Sequence, residues 1–175
     1  MMRKVILYIA MSLDGYIAKA DNDMTFLTIV QKDGEDYGYN DFIKEIDTVI
    51  MGRKTYDWVM TQVKEFPHAD IDSYIITRTP GPAKGKISFY TGNLKELILE
   101  LKQNAGKNIF IDGGAEIVNL LIQDNLIDEY IISIIPILLG DGVRLFRGSI
   151  MEQNLELISS KQYDTGLIQL HYKNK

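Results

Sequence analysis

Short apolar runs of strand length alternate along the chain with longer stretches of helical period. Val5-Ile6-Leu7-Tyr8-Ile9-Ala10 is almost continuously apolar and rich in β-branched residues. That is the pattern of a strand buried on both faces, as in a parallel sheet covered by helices. Similar runs recur at residues 48–51, 73–77, 108–111 and 130–135. Between them, residues 39–46, 55–63, 93–104 and 115–123 carry helical spacing. The clearest is 93–104, with Leu94, Leu97, Ile98 and Leu101 on one face and Asn93 placed as an N-cap. This alternation through residue 135 predicts an α/β fold, a mostly parallel sheet with helices on both faces.

The end of the chain breaks the pattern. Residues 155–161 and 167–172 flank Tyr163-Asp164-Thr165-Gly166, which reads as a hairpin turn. An antiparallel hairpin closing one edge of the sheet is the expectation. There is no internal repeat or linker, and Gly81-Pro82-Ala83-Lys84-Gly85 reads as a loop within one domain spanning 1–175. A chain of 175 residues buries roughly 70% of its unfolded surface without help from cross-links.

Composition narrows the function classes. There is no cysteine, so disulfides, thiol catalysis and the commonest zinc sites are excluded. A formal charge of -5 weighs against nucleic-acid binding. The apolar run after Met1-Met2-Arg3-Lys4 is short for a signal core, and no small-residue cleavage site follows. No stretch has the length of a membrane span. The expectation is a cytoplasmic protein that binds neither membrane nor nucleic acid.

Four segments that directly follow strand-like runs carry residues a plain connection does not need. They are Ser12-Leu13-Asp14-Gly15-Tyr16-Ile17-Ala18, Gly52-Arg53-Lys54-Thr55-Tyr56, Thr77-Arg78-Thr79-Pro80 and Gly113-Gly114-Ala115-Glu116. In a parallel sheet all four emerge at the carboxyl edge, where open α/β sheets bind ligands. Glycine at a strand-to-helix junction lets bare amides approach a ligand, and the helix start favours an anion. Arg53 and Lys54 add full charges, and Thr55 caps or donates. Glu116 reads as an acid favoured by the helix dipole. Alone, each junction is a tight turn with solvated charges. Three on one rim point to an extended ligand with several phosphates.

Other sites fail on inspection. There is no G-x-G-x-x-G, and the Gly81-to-Lys86 stretch is a residue short of a Walker loop and is followed by Ile87. His68 and His171 form no metal-ligand pattern, and no G-x-S-x-G is present. No metal is expected.

The motifs Ser12-Leu13-Asp14-Gly15-Tyr16-Ile17, Met51-Gly52-Arg53-Lys54-Thr55-Tyr56, Gly113-Gly114-Ala115 and residues 136–146 occur in that order. Together they resemble the dihydrofolate reductase-like proteins related to the C-terminal reductase domain of bifunctional riboflavin-biosynthesis enzymes. The resemblance implies a three-layer αβα fold with NADPH across the carboxyl edge of a mixed sheet. It implies a reductase acting on a small heterocyclic or carbonyl substrate, of the 5-amino-6-(5-phosphoribosylamino)uracil reductase kind. It places Gly52, Arg53, Lys54 and Thr55 near the adenosine phosphates, Thr77 and Arg78 at the 2′-phosphate, and Gly113, Gly114, Ala115 and Glu116 at the diphosphate. Ala10 and Ile17 would flank the nicotinamide, and Asp14 and Tyr39 would face substrate. The zinc deaminase pattern of the bifunctional enzymes is absent. True dihydrofolate reductases carry an acid early in the helix after the first loop; Asp36 lies in that region and is the first candidate proton donor, followed by Tyr39 and water, a raised carboxyl pKa being what that task needs of a carboxyl. Surface acidity is the plainer account of Asp36. A nucleotide-binding module without turnover, or a flavin or deazaflavin enzyme on the same fold, remains as an alternative. Related proteins commonly pair near residues 136–146, so a homodimer is expected.

Overall fold

The computed structural model describes residues 2–148 and 152–175. Its strands are β1 (Val5–Ser12), β2 (Tyr16–Ala18), β3 (Ile46–Gly52), β4 (Asp72–Ile76), β5 (Ile87–Tyr90), β6 (Asn108–Gly113), β7 (Glu129–Ile135), β8 (Val143–Arg144), β9 (Leu155–Gln162) and β10 (Ile168–Asn174). The helices are α1 (Tyr39–Lys44), α2 (Arg53–Gln62), α3 (Leu94–Gln103) and α4 (Ala115–Gln123), with a 3-10 helix at Thr25–Val30.

Eight strands form one sheet in the order β5-β4-β3-β6-β1-β7-β10-β9. All neighbours from β5 to β7 run parallel, and β10 is antiparallel to both β7 and β9. The parallel array and the closing hairpin are therefore as the hydrophobic pattern predicts. Side chains alternate between two cores, as the pleat requires. Ile6, Val49, Met51, Ile75 and Phe110 meet Phe42 of α1 and Tyr56 of α2 on one face. Val5, Leu7, Ile50, Ile109 and Ile111 meet Leu97 and Ile98 of α3 and Leu121 of α4 on the other. Each such fully buried aliphatic chain contributes about 1.5–3 kcal/mol. A third, smaller core joins Phe26 and Val30 of the 3-10 helix to Ile135, Tyr163 and Leu167.

Three features depart from the sequence reading. The short edge strand β5 lies inside a stretch with no strand pattern, because Ile87-Ser88-Phe89-Tyr90 is brief and flanked by polar turns. Helix α1 stops at Lys44, since Ile46 already belongs to β3. The segment after β1 is not wholly loop: β2 pairs with β8 in a separate two-stranded antiparallel sheet. Among the described residues, no helix is long and apolar enough to cross a membrane.

Candidate functional site

Because β1, β3, β4 and β6 are parallel, the segments starting at Ser12, Gly52, Thr77 and Gly113 all leave the same edge of the sheet. Along that edge the central strand is less fully covered than at its start. Val5, Ile6 and Leu7 are buried, but Tyr8, Ile9, Ala10 and Met11 are only half-buried although β6 and β7 flank them. A central strand in a three-layer fold is normally covered on both faces. Its half-buried carboxyl half leaves room beside the four loops.

Beside it stand two helix starts. Helix α2 begins at Gly52 and α4 at Gly114, and neither has a side-chain cap. Their first amides have no side-chain cap, an arrangement suited to an anion. Helix α3, at the outer edge of the sheet, is capped by Asn93, which accepts from the Glu96 amide at 3.2 Å. The two glycine junctions touch each other: a Cβ on Gly52 would lie 3.7 Å from the Gly114 nitrogen and 3.3 Å from Ile117 Cγ1. A Cβ on Gly114 would lie 3.2 Å from Thr55 Oγ1. Gly113 has φ +110, a conformation closed in practice to other residues, and its peptide to Gly114 is cis. Gly52, Thr55, Gly113 and Gly114 thus form one cradle, with Ala115 buried at the start of α4.

The basic residues lie on its rim. Arg53 and Lys54 are exposed in the first turn of α2. The Arg53 guanidinium bonds Asp57 at 2.7 and 2.9 Å and lies over the Phe89 ring. Arg78 is 96% exposed and only reaches Glu116 at 3.7 Å, so its fork is available to an anion. Thr77 is half-buried after β4, and its hydroxyl accepts from the Thr79 amide. Glu116 sits in the first turn of α4, where the helix dipole favours an acid.

The two acids read from sequence have other tasks. Asp14 accepts from Ser12 Oγ at 2.6 Å, the Gly140 amide at 2.7 Å and the Leu139 amide at 3.0 Å. Those hydrogen bonds, that of Ser12 foremost, hold its carboxyl down at about 2. It clasps residues 139–140 against the end of β1. Asn119 of α4 grips the same strap further on, donating to the Leu145 carbonyl and accepting from the Arg147 amide. Asp36 is exposed, and its two oxygens accept from the Gly38 and Asn40 amides at 2.9 and 3.0 Å. These bonds lower its pKa, the reverse of what a proton donor needs. Asp36 starts helix α1. The reason is backbone geometry: the carboxylate satisfies orphan amides at a helix start.

The acid that sequence reading missed is Asp112, the last side chain of β6 before the glycine pair. It is in phase with Phe110, so it faces the α1 and α2 side of the sheet. Among the described residues it enters no ion pair or side-chain hydrogen bond, and burial pushes its carboxyl up to about 6. Tyr39, the first residue of α1, is half-buried close by; burial first, then the Asp112 charge, raises its phenol. Behind it, Tyr39 Oη lies 3.3 Å from Nε2 of His68, a buried imidazole kept neutral by desolvation. Ala10 is on the same face of β1, and Ile17 is half-buried in β2. Among the described residues, no group of three or more His, Asp or Glu side chains is placed to hold a metal ion.

Comparison with known proteins bears on the family and the fold. The chain is 42% identical over 173 residues to the uncharacterized protein YwjB of Bacillus subtilis (strain 168), covering 98% of each. It superimposes on the crystal structure of a putative riboflavin biosynthesis protein from Shewanella sp. PV-4 with a TM-score of 0.89 at 29% identity, covering 98% of this chain and 99% of that one. It shares its fold with dihydrofolate reductase from Enterococcus faecalis, solved with NADP(H), with a TM-score of 0.68 at 15% identity over 98% and 96% of the two chains. Residues 3–169 match the family described as the RibD C-terminal domain. With nearly its whole length matched, the chain belongs to the RibD C-terminal domain family.

Proposed function

We propose that this protein is an NADPH-dependent reductase of the pyrimidine-reductase type. The observation that carries the reading is the pair of uncapped helix starts, α2 and α4, meeting in a glycine cradle beside the half-buried end of the central strand. Membership of the RibD C-terminal domain family supports oxidoreductase chemistry. The presence of NADP(H) in the Enterococcus faecalis neighbour supports the cofactor.

The residues fit a dinucleotide with three phosphates. The amides at Gly114 and Ala115 and those at Gly52 to Thr55 would hold the phosphates linking its halves, with Arg53 and Lys54 on the rim. Arg78 and Thr77 would take the 2′-phosphate, which distinguishes NADPH from NADH. Ala10 and Ile17 offer small and apolar contact at the carboxyl edge. Bound there, the cofactor supplies a hydride. The protein's own part is to orient the substrate and to hold a proton. Asp112 is the group suited to the second task, since a carboxyl near 6 keeps a useful protonated fraction at neutral pH. Tyr39 sits where it can orient the substrate. Calorimetric titration tests the reading: NADPH binds at least tenfold tighter than NADH, and binding of neither overturns it. A yellow flavin retained through purification would favour the flavin alternative.

Two copies pair, in this reading, through the hairpin side of the sheet. Met11, Tyr130, Ile132, Leu170 and Tyr172 line, with Ile122 of α4, an apolar cavity of about 320 Å³ on the α4 side of β7 and β10. Leu155, Leu157, Ile168 and Phe146 add exposed apolar surface around it. One sheet face meeting its own copy across a two-fold axis would cover it. Sedimentation gives twice the chain mass, falling to one chain mass in Leu157→Glu; a single-chain mass for the unaltered protein removes the pairing.

A further inference from the structure

The strap of residues 136–147 lies across the segment that carries Ile17. Among the described residues β2 has β8 as its one strand partner, in a sheet separate from the main one. Tyr16 pairs with Arg144 and Ala18 with Val143, and the Arg144 guanidinium lies 4.6 Å from the centre of the Tyr16 ring. The Leu13 amide donates to the Ile137 carbonyl and the Leu145 amide to the Gly15 carbonyl, both at 2.9 Å. Gly142 passes so close that a Cβ there would meet the Ala18 carbonyl oxygen at 2.1 Å. Where Ile17 stands is therefore set by where the strap stands.

One side chain ties the strap to the cradle helix. Asn119 is buried in α4 in the company of Ile117, Val118, Leu121 and Ile122. Asparagine is a poor helix former, and a buried amide costs stability unless its polar atoms are bonded. Both of its polar atoms are. Nδ2 donates to the Ala115 carbonyl at 2.6 Å and to the Leu145 carbonyl at 2.7 Å, and Oδ1 accepts from the Arg147 amide at 2.9 Å. Ala115 opens α4 directly after the glycine pair. A single amide group thus touches the first residue of the cradle helix and the strap that sets β2.

We infer that Asn119 is a positioning residue: it fixes Ile17 relative to the glycine cradle, and so sets where the nicotinamide end of a dinucleotide lies once its phosphates are held. The inference rests on the reading of this site as one for NADPH. The two ends of that ligand would meet different elements, α4 at the phosphates and β2 at the ring. Neither element pairs with the other, and the strap is their bridge. Reacting groups displaced by about 1 Å lose on the order of a hundredfold in rate, so the bridge matters to chemistry that Asn119 never touches. An amide kept only to satisfy two backbone groups of the strap would act on stability alone and would treat every ligand of the cradle alike.

Calorimetric titration of the unaltered protein and of Asn119→Leu tests the inference with two probes. One is NADPH; the other is 2′-phospho-ADP-ribose, which keeps all three phosphates and lacks the nicotinamide. The unaltered protein is expected to favour NADPH by about tenfold. In Asn119→Leu the fragment keeps its affinity within about twofold, while the preference for NADPH shrinks below about threefold. The emission of the bound dihydronicotinamide moves back toward that of the free cofactor in the same variant. Equal loss of both probes, or loss of neither, overturns the inference. Should Asn119→Leu not fold, hydrogen exchange on the unaltered protein still decides. Binding of the fragment, which reaches the cradle alone, should slow exchange at the Leu145 and Arg147 amides by about fivefold or more. Unchanged exchange there overturns the inference. Binding of neither probe by the unaltered protein sinks the NADPH reading and this inference with it, whereas binding of both with equal losses in the variant sinks this one alone.

Discussion

The two ends of the parallel sheet treat polar groups in opposite ways. At the amino edge the buried charges, Arg3 and Glu129, are answered. Arg3, buried before β1, bonds Asp47, Thr48 and the carbonyls of Lys107 and Leu101. Glu129, at the start of β7, takes Lys4 at 2.6 Å and His171 at 2.9 Å, while Asp128 takes Lys102 at 2.7 Å. At the carboxyl edge Asp112 is alone, two helix starts are uncapped and Arg78 is loose. An unanswered buried polar group costs stability. A fold that satisfies one end and leaves the other wanting has at the second end what a ligand site would need.

The largest effect that sharpens this contrast is at Asp112. In Asp112→Asn, kcat should fall at least 100-fold with NADPH affinity unchanged, read by steady-state kinetics and calorimetry. Stability should move the other way. The carboxyl rises from 3.8 to about 6 on folding, so between those values the folded state binds more protons and stability falls as pH rises. The penalty is complete above pH 6 and is at most about 3 kcal/mol. Denaturant unfolding at neutral pH should find the asparagine variant more stable, with the gain gone near pH 4. No gain at neutral pH would break the contrast.

Glu129→Gln probes the other edge and should cost about 2 kcal/mol while leaving cofactor affinity alone. Burial alone would raise the Glu129 pKa, but the Lys4 and His171 hydrogen bonds outweigh it and leave the pKa lowered. Its stabilisation is therefore present at neutral pH and lost on acidification through the carboxylate range, opposite in sign to Asp112. Next comes Gly52→Ala. Its φ of -74 suits alanine, and the new methyl would crowd Ile117 Cγ1 at 3.3 Å and touch Gly114 N and Gly113 O at 3.7 and 3.8 Å. Unfolding should change by under about 1 kcal/mol, while NADPH affinity drops about tenfold, because the methyl stands in the cradle. Smallest is Asn93→Ala, which removes a cap that binds nothing: about 1 kcal/mol of stability and no change in affinity. Equal loss of binding in both variants would mean that the uncapped and capped helix starts are not different in kind.

The sheet was legible because its strands are apolar on both faces, and the four edge loops were legible because β1, β3, β4 and β6 precede them in one direction. The Asn93 cap could also be read directly, whereas the start of α2 at Arg53, two residues before the expected Thr55, could not. Asp112 was not, since one acid at the end of Ile109-Phe110-Ile111 looks like the polar close of a strand. Its only signal is phase: it stands two residues after a core phenylalanine and just before a glycine pair. Asp36 misled for the opposite reason. Its sequence neighbourhood matches a catalytic acid, but its hydrogen bonds to the amides two and four residues on are a purely local effect. The clasps of Asp14 on residues 139–140 and of Asn119 on Leu145 and Arg147 join distant segments, which no local pattern announces.

The half-buried end of β1 has a consequence for how the protein behaves when empty. Tyr8 to Met11 are only half-buried in the heart of the fold, so an occupant bound there, as proposed, would complete the interior as well as the reaction. Melting temperature should climb with occupant concentration, about 2.7 kcal/mol of added stability accruing at a hundredfold excess over Kd. In a cell, starvation for that occupant would expose the chain to proteolysis, and abundance would follow supply.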